Sequence, residues 1–237
     1  AGPFHNAGLK FDYAISDKLK GDALSIGAEW VKTFGDLQLK ADASTILFGD
    51  IHGNTIKTAI IYEMDSVFNF QGFAEFTSKS PDFNKQLYQS DYIDYNWQNN
   101  FNNTETQQLA FQLKYKSLAN ISVDLNTIND YVYYRKDETS LQVQALQNNS
   151  TITYLRAKLE NEIKVGKFAL NNTILYQNVQ DDNGVLNVPE LTTRNTLYFS
   201  SHLFKKAMFL QTGVTLNYFT KYYMNAYNPV LAEFYVQ

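Results

Sequence analysis

Hydrophobic and polar residues alternate along most of this chain with a period of two. Leu9, Phe11, Tyr13 and Ile15 are separated by Lys10, Asp12 and Ala14. The same spacing recurs at Leu24, Ile26, Ala28 and Trp30, and at Leu37, Leu39, Ala41 and Ala43. It returns at Phe68, Phe70, Ala74 and Phe76, then at Leu109, Phe111, Leu113 and Tyr115, and at Ile121, Val123 and Leu125. A period of two is the signature of a strand with unlike faces. Roughly a dozen such segments, most of about 9–13 residues, are expected, long enough to cross a bilayer at a tilt. No long amphipathic helix is evident.

The clearest case is "YLRAKLENEIKVGKFALNNTILYQ", residues 154–177. Arg156, Lys158, Glu160, Glu162 and Lys164 form one face. Leu155, Ala157, Leu159, Asn161, Ile163 and Val165 form the other. With Gly166 and Lys167 as the central residues of a type II′ turn, the register follows. Val165 is expected opposite Phe168, Ile163 opposite Leu170, and Asn161 opposite Asn172. Two facing amides can share a hydrogen bond, which lowers the cost of placing either in apolar surroundings. A second hairpin, turning on Lys205–Lys206, is expected to pair Leu203 with Met208 and Leu197 with Val214, setting Tyr198 over the strand glycine Gly213.

Five ionisable groups in one row cannot lie in a dry core, so that face meets water while the other needs lipid or protein. A soluble β-sandwich and a membrane barrel both fit this pattern. Strand length and tyrosine-rich strand ends favour the barrel, as do the few prolines, four in 237 residues. The expectation is an all-β fold, an antiparallel transmembrane β-barrel with roughly 12 strands in this chain, occupying 1–237 as one domain. The lumen-lining candidates are Arg156, Lys158, Glu160, Glu162 and Lys164. Those for the interfacial aromatic girdle are Trp30, Tyr62, Tyr115, Tyr154, Tyr176 and Tyr218. Asn161 and Asn172, an amide pair inside an apolar row, are candidates for a partner-facing patch. Connections from residue 120 onward alternate short and long, as tight turns at one barrel end and loops at the other would; around 98–119 this rhythm is lost.

Composition narrows the chemistry. A net charge of −4 gives no basic footprint for nucleic acid. The absence of cysteine removes disulfides and thiolate metal sites. No run approaches the roughly 20 apolar residues of a membrane helix, which says nothing against membrane strands. His5, His52 and His202 are far apart, so no metal is expected, and no cofactor motif is present. Glu160 and Glu162 share a strand face at roughly 6.5–7 Å. Their flanking lysines favour two ionised carboxylates over an acid–base pair, and no enzyme activity is expected. Asp181, Asp182 and Asn183 read as an acidic loop rather than a calcium site.

Several stretches, "SDYIDYNWQNNF" (90–101), "GKFALNNTILYQNV" (166–179), "LNVPELTTRNTLYFS" (186–200) and "FKKAMFLQTGVTLNYFTKYYMNAYNPVLAEFYVQ" (204–237), resemble the putative porin family of Bacteroidetes outer membranes. The resemblance implies a bacterial outer-membrane barrel in contact with outer-membrane lipid, inserted by the barrel-assembly machinery, with no catalytic residues. Family members are longer, so the chain is expected to be part of a larger barrel, incomplete at both ends. The function expected is passive diffusion of small polar solutes through a charged lumen. The alternatives are a non-conducting platform subunit of an outer-membrane complex, with other complex subunits as partners, and a soluble β-rich binding protein.

Overall fold

The computed structural model describes residues 15–16, 18–64, 67–92, 95–116, 118–138 and 142–237. Ten long strands, β1 (Ala23–Phe34), β2 (Leu37–Gly49), β3 (Gly53–Met64), β4 (Phe68–Lys79), β5 (Thr104–Tyr115), β6 (Ala119–Asn129), β7 (Ile152–Val165), β8 (Phe168–Gln180), β9 (Leu191–Leu203) and β10 (Met208–Phe219), form one sheet. Each strand pairs antiparallel with its sequence neighbours. The shortest has 11 residues and the longest 14, enough to span a hydrocarbon layer at a tilt.

The sheet is open. Among the described residues β1 and β10 each pair on one side only, so the all-β antiparallel sheet expected from sequence is present, but the barrel it was expected to belong to is not closed. The described residues hold ten long strands, against roughly 12 expected in the chain. The Leu9–Ile15 segment falls largely outside the described residues.

The connections divide cleanly between two rims. At one, the strands ending at Phe34, Met64, Tyr115, Val165 and Leu203 are each followed by the next after only two to four residues. At the other, 50–52 is short, but 80–103, 130–151 and 181–190 are long, and 220–237 leaves from the same rim. The alternation of short and long connections that sequence loses near 98–119 is therefore kept from β4 onward. Residues 80–103 form a single excursion holding a helical turn, Phe83–Gln86, and a small strand pair, Leu87–Tyr88 with Trp97–Gln98.

The β7–β8 register is the one the turn predicts, from Val165↔Phe168 to Arg156↔Gln177. Gly166 takes φ 61° while Lys167 is not in the positive-φ region, the combination that a type II′ turn requires. The β9–β10 register also matches, including Tyr198↔Gly213, although Phe204, Lys205 and Lys206 all adopt positive φ without a glycine.

Because strand period and pairing agree, the sheet keeps two unlike faces from edge to edge. One apolar row runs Ile60–Gly72–Phe111–Val123–Ala157–Tyr176 across six strands. The opposite face carries the row Asp42–Lys57–Glu75–Gln108–Asn126–Tyr154. The apolar face lies open: Val214 is 77% and Val165 73% exposed. Most of the buried apolar side chains gather at the long-loop rim instead, where Tyr134, Val143, Ala145 and Leu231 form a small core.

Candidate functional site: the polar face and its loop-covered rim

Strand parity alone places Arg156, Lys158, Glu160, Glu162 and Lys164 on one face, and neighbouring strands then supply their partners. Arg156, opposite Asp124 of β6, sets both Nε and an Nη atom 2.9 Å from Asp124 Oδ1. Asn126 donates to the other carboxylate oxygen at 3.2 Å. With its oxygens taken, Asp124 is 5% exposed.

Glu160 accepts from Lys158 at 2.6 Å and from Asn120 at 3.0 Å, and Asn120 in turn accepts from Gln112 of β5 at 3.0 Å. Glu162 accepts from Lys164 at 2.5 Å and from the Tyr198 hydroxyl of β9 at 2.5 Å. Hydrogen bonds thus tie β5, β6, β7 and β9 together across the polar face. Each carboxylate has a cation within reach, so this stretch is strongly polar but internally balanced. Arg194 and Lys114 share the face, and neither forms an ion pair among the described residues. Glu160 and Glu162 are each bound by an ammonium group, as paired ionised carboxylates would be rather than an acid and a base.

The six aromatic candidates separate. Trp30, Tyr62 and Tyr115 lie on the apolar face towards the tight-turn rim, and Tyr176 and Tyr218 on the same face towards the loops. Tyr154 is a correction. It shares parity with Arg156, stands on the polar face, and donates its hydroxyl to Gln177 Oε1. Asn161 and Asn172 do meet: Asn172 Nδ2 donates to Asn161 Oδ1 at 3.0 Å.

At the long-loop rim the polar face is covered. Ile152, which has polar-face parity, is 0% exposed, and Gln177, 8% exposed, donates to the Pro189 carbonyl at 2.8 Å. A cavity there is lined by Thr77, Thr104 and Thr106 of the wall and by Lys85 and Tyr131 of the loops. The hairpin Val132–Lys136 with Val143–Gln147 forms the centre of this cover. The C-terminal segment returns to it, with Lys136 N–H donating to the Val236 carbonyl at 3.0 Å and Val236 N–H to the Tyr134 carbonyl at 2.8 Å. Tyr88 stacks on Trp97 at 4.9 Å and donates its hydroxyl to the Val230 carbonyl at 3.0 Å, while Asn228 donates to the Tyr95 hydroxyl at 2.9 Å. Burial, and next the negative charge of Glu233, raises the Tyr131 and Tyr134 phenols above their ordinary pKa.

The acidic loop has an internal role. Asp181 accepts backbone N–H bonds from Asn183 at 3.1 Å, Val185 at 2.6 Å and Leu186 at 2.9 Å, so its carboxylate shapes the loop itself. His202 packs its ring against Phe209, with centroids 5.1 Å apart.

Asp124, Asn120, Gln112 and Tyr198 are members of these networks that sequence reasoning missed, whereas Gln177 stands opposite Arg156 as the turn predicts. The parity of the four was available. The register of Asp124, Asn120 and Gln112 on β7 was not, because the long connection 130–151 leaves the β6–β7 alignment undetermined by any turn, and the loop 181–190 does the same for Tyr198 of β9.

A family model described as "putative porin" matches residues 3–237. A comparison with curated proteins finds no match.

Proposed function

The chain belongs to the putative porin family, and from that premise we propose that it forms the wall of a transmembrane β-barrel in a bacterial outer membrane. The apolar face turns to lipid, the polar face lines an aqueous lumen, and small polar solutes diffuse through without a catalytic step. The observation that carries this reading is the two-faced sheet itself. All ten strands are long, their apolar face is open, and short and long connections segregate to opposite rims, as in outer-membrane barrels.

A sheet edge left open in hydrocarbon would strand a row of backbone polar groups, so β1 and β10 must be paired in the membrane. Strand β1 starts, and β10 ends, at the long-loop rim. The two edges can therefore pair antiparallel with each other, or receive an even number of further strands between them.

A second reading is favoured by the loop cover over the polar face at Ile152 and Gln177: a barrel that is closed to solutes and serves as a platform in an outer-membrane complex. Single-channel recording of the full-length protein in planar bilayers, after its folded band has been shown to be heat-modifiable, separates the two. Reproducible open steps at low voltage support diffusion. A folded but silent barrel overturns it in favour of the platform.

A further inference from the structure

The interrupted apolar row of β7 and β8 extends to a third strand. Asn172 pairs with Asn161 on one side and with Asn195 of β9 on the other, so three amides stand side by side on the apolar face. Ala119 bounds the row at one end and Leu216 at the other. Asn161 lies midway between Ala157 and Val165, and Asn172 midway between Phe168 and Tyr176. Asn161 and Asn172 lie four residues in from the tight-turn ends Val165 and Phe168, and Asn195 four residues in from the loop-rim end Leu191, so each amide is about 10 Å from the nearer end of a tilted strand. Other amides on this face, Asn54, Gln107, Asn129, Asn178 and Gln180, lie towards the loop-rim ends of their strands.

Internal bonds use only part of the row. Asn172 donates to Asn161, and Asn195 donates to Thr193 Oγ1 at 3.3 Å. Among the described residues, Asn161 Nδ2 and the side-chain oxygens of Asn172 and Asn195 make no further bond. Lipid chains can satisfy none of these groups, and an amide without a partner in hydrocarbon is costly. The free set contains both donors and acceptors, so it is complementary to itself. Two copies inserted in the same sense share the depth of the row, and a two-fold axis along the membrane normal brings its middle amide against the same amide of the other copy.

We propose that the Asn161–Asn172–Asn195 amide row is the centre of a homodimer interface within the membrane, formed with a second copy of this chain. Flanking apolar side chains, Ile163, Leu170, Leu197 and Ile174, surround the amides and are all exposed or half-buried in the single chain. The inference rests on the lipid-facing assignment of the apolar face.

The sequence contains no cysteine, so Asn172→Cys places a unique thiol at the two-fold axis. The experiment is oxidative cross-linking of the full-length protein in intact outer membranes, with Ile60→Cys, five strands away on the same face, as the comparison. A cross-linked species of twice the chain mass is expected for N172C and not for I60C. The triple change N161L/N172L/N195L is expected to lose the dimer on semi-native gels while keeping its heat-modifiable folded band. Asn195→Cys serves if N172C fails to fold. Folded, membrane-embedded N172C without a dimer overturns the proposal, as does a cross-link to a protein of another mass. If I60C in the membrane fraction resists lipid-soluble maleimides, the lipid-facing assignment itself fails, and the dimer with it.

Discussion

Gly213 faces Tyr198 across the β9–β10 ladder, and a Cβ added there would lie 2.5 Å from the Leu197 carbonyl oxygen and 2.7 Å from Tyr198 Cβ. Neither atom is the free end of a flexible side chain, so the ladder itself would have to shift. Gly213→Ala is expected to destabilise the folded wall by about 1–3 kcal/mol, the usual cost of overpacking. The check is the temperature at which the heat-modifiable band converts to the unfolded one. Gly166→Ala, where no atom lies within 4 Å of the added Cβ but φ is +61°, is expected to cost less, about 1–2 kcal/mol. A larger loss at Gly166 than at Gly213 would refute the close-contact account. The Tyr198–Gly213 pairing was legible in the sequence because a tight turn sits between its strands. The Arg156–Asp124 pair was not, because the segment between β6 and β7 fixes no register.

The element whose stability depends most on buried side chains is the loop cover, in which the hairpin 132–147 and the C-terminal segment 226–236 hold each other through Tyr134, Leu231 and Val236. Burial first, and the charge of Glu233 second, keeps the Tyr131 and Tyr134 phenols neutral above their ordinary value of 10.0. Ionisation in the folded cover is therefore harder than in the open one. The stabilisation is complete below pH 10.0 and is lost as pH rises through the folded values. The cover is expected to open in strong alkali before the strand wall gives way. Hydrogen exchange at residues 226–236, followed against the phenolate absorbance, reads this directly. Loss of the wall before the cover would contradict it. The cover was the least legible element in sequence. Its strands are short, its contacts join segments far apart in the chain, and no two-residue alternation marks Leu231 or Val236 as buried.

Seen as a whole sheet, the two faces were legible from alternation alone, since every long strand keeps its parity except β2, where a bulge at Leu47 flips it near the loop rim. The balance of charge on the polar face was not, because it depends on which strands adjoin. Lys158 and Lys164 are held by Glu160 and Glu162, and Arg156 by Asp124, so neither sign dominates this part of the face. Arg194 and Lys114 add positive charge beside it. Converting Glu160→Gln and Glu162→Gln together keeps the hydrogen-bonding shape of both side chains while releasing two ammonium groups on the polar face. Solvent-exposed ion pairs contribute little to stability, so the fold is expected to persist. Fixed positive charge at a wet constriction attracts anions and repels cations, an effect that fades as salt shortens the screening length. The double variant is therefore expected to move the reversal potential under a potassium chloride gradient towards the chloride value, more at low salt than at high. If conductance persists and the potential does not move, these residues do not line the conducting path, and the polar face must be open to solutes at some other stretch of the wall.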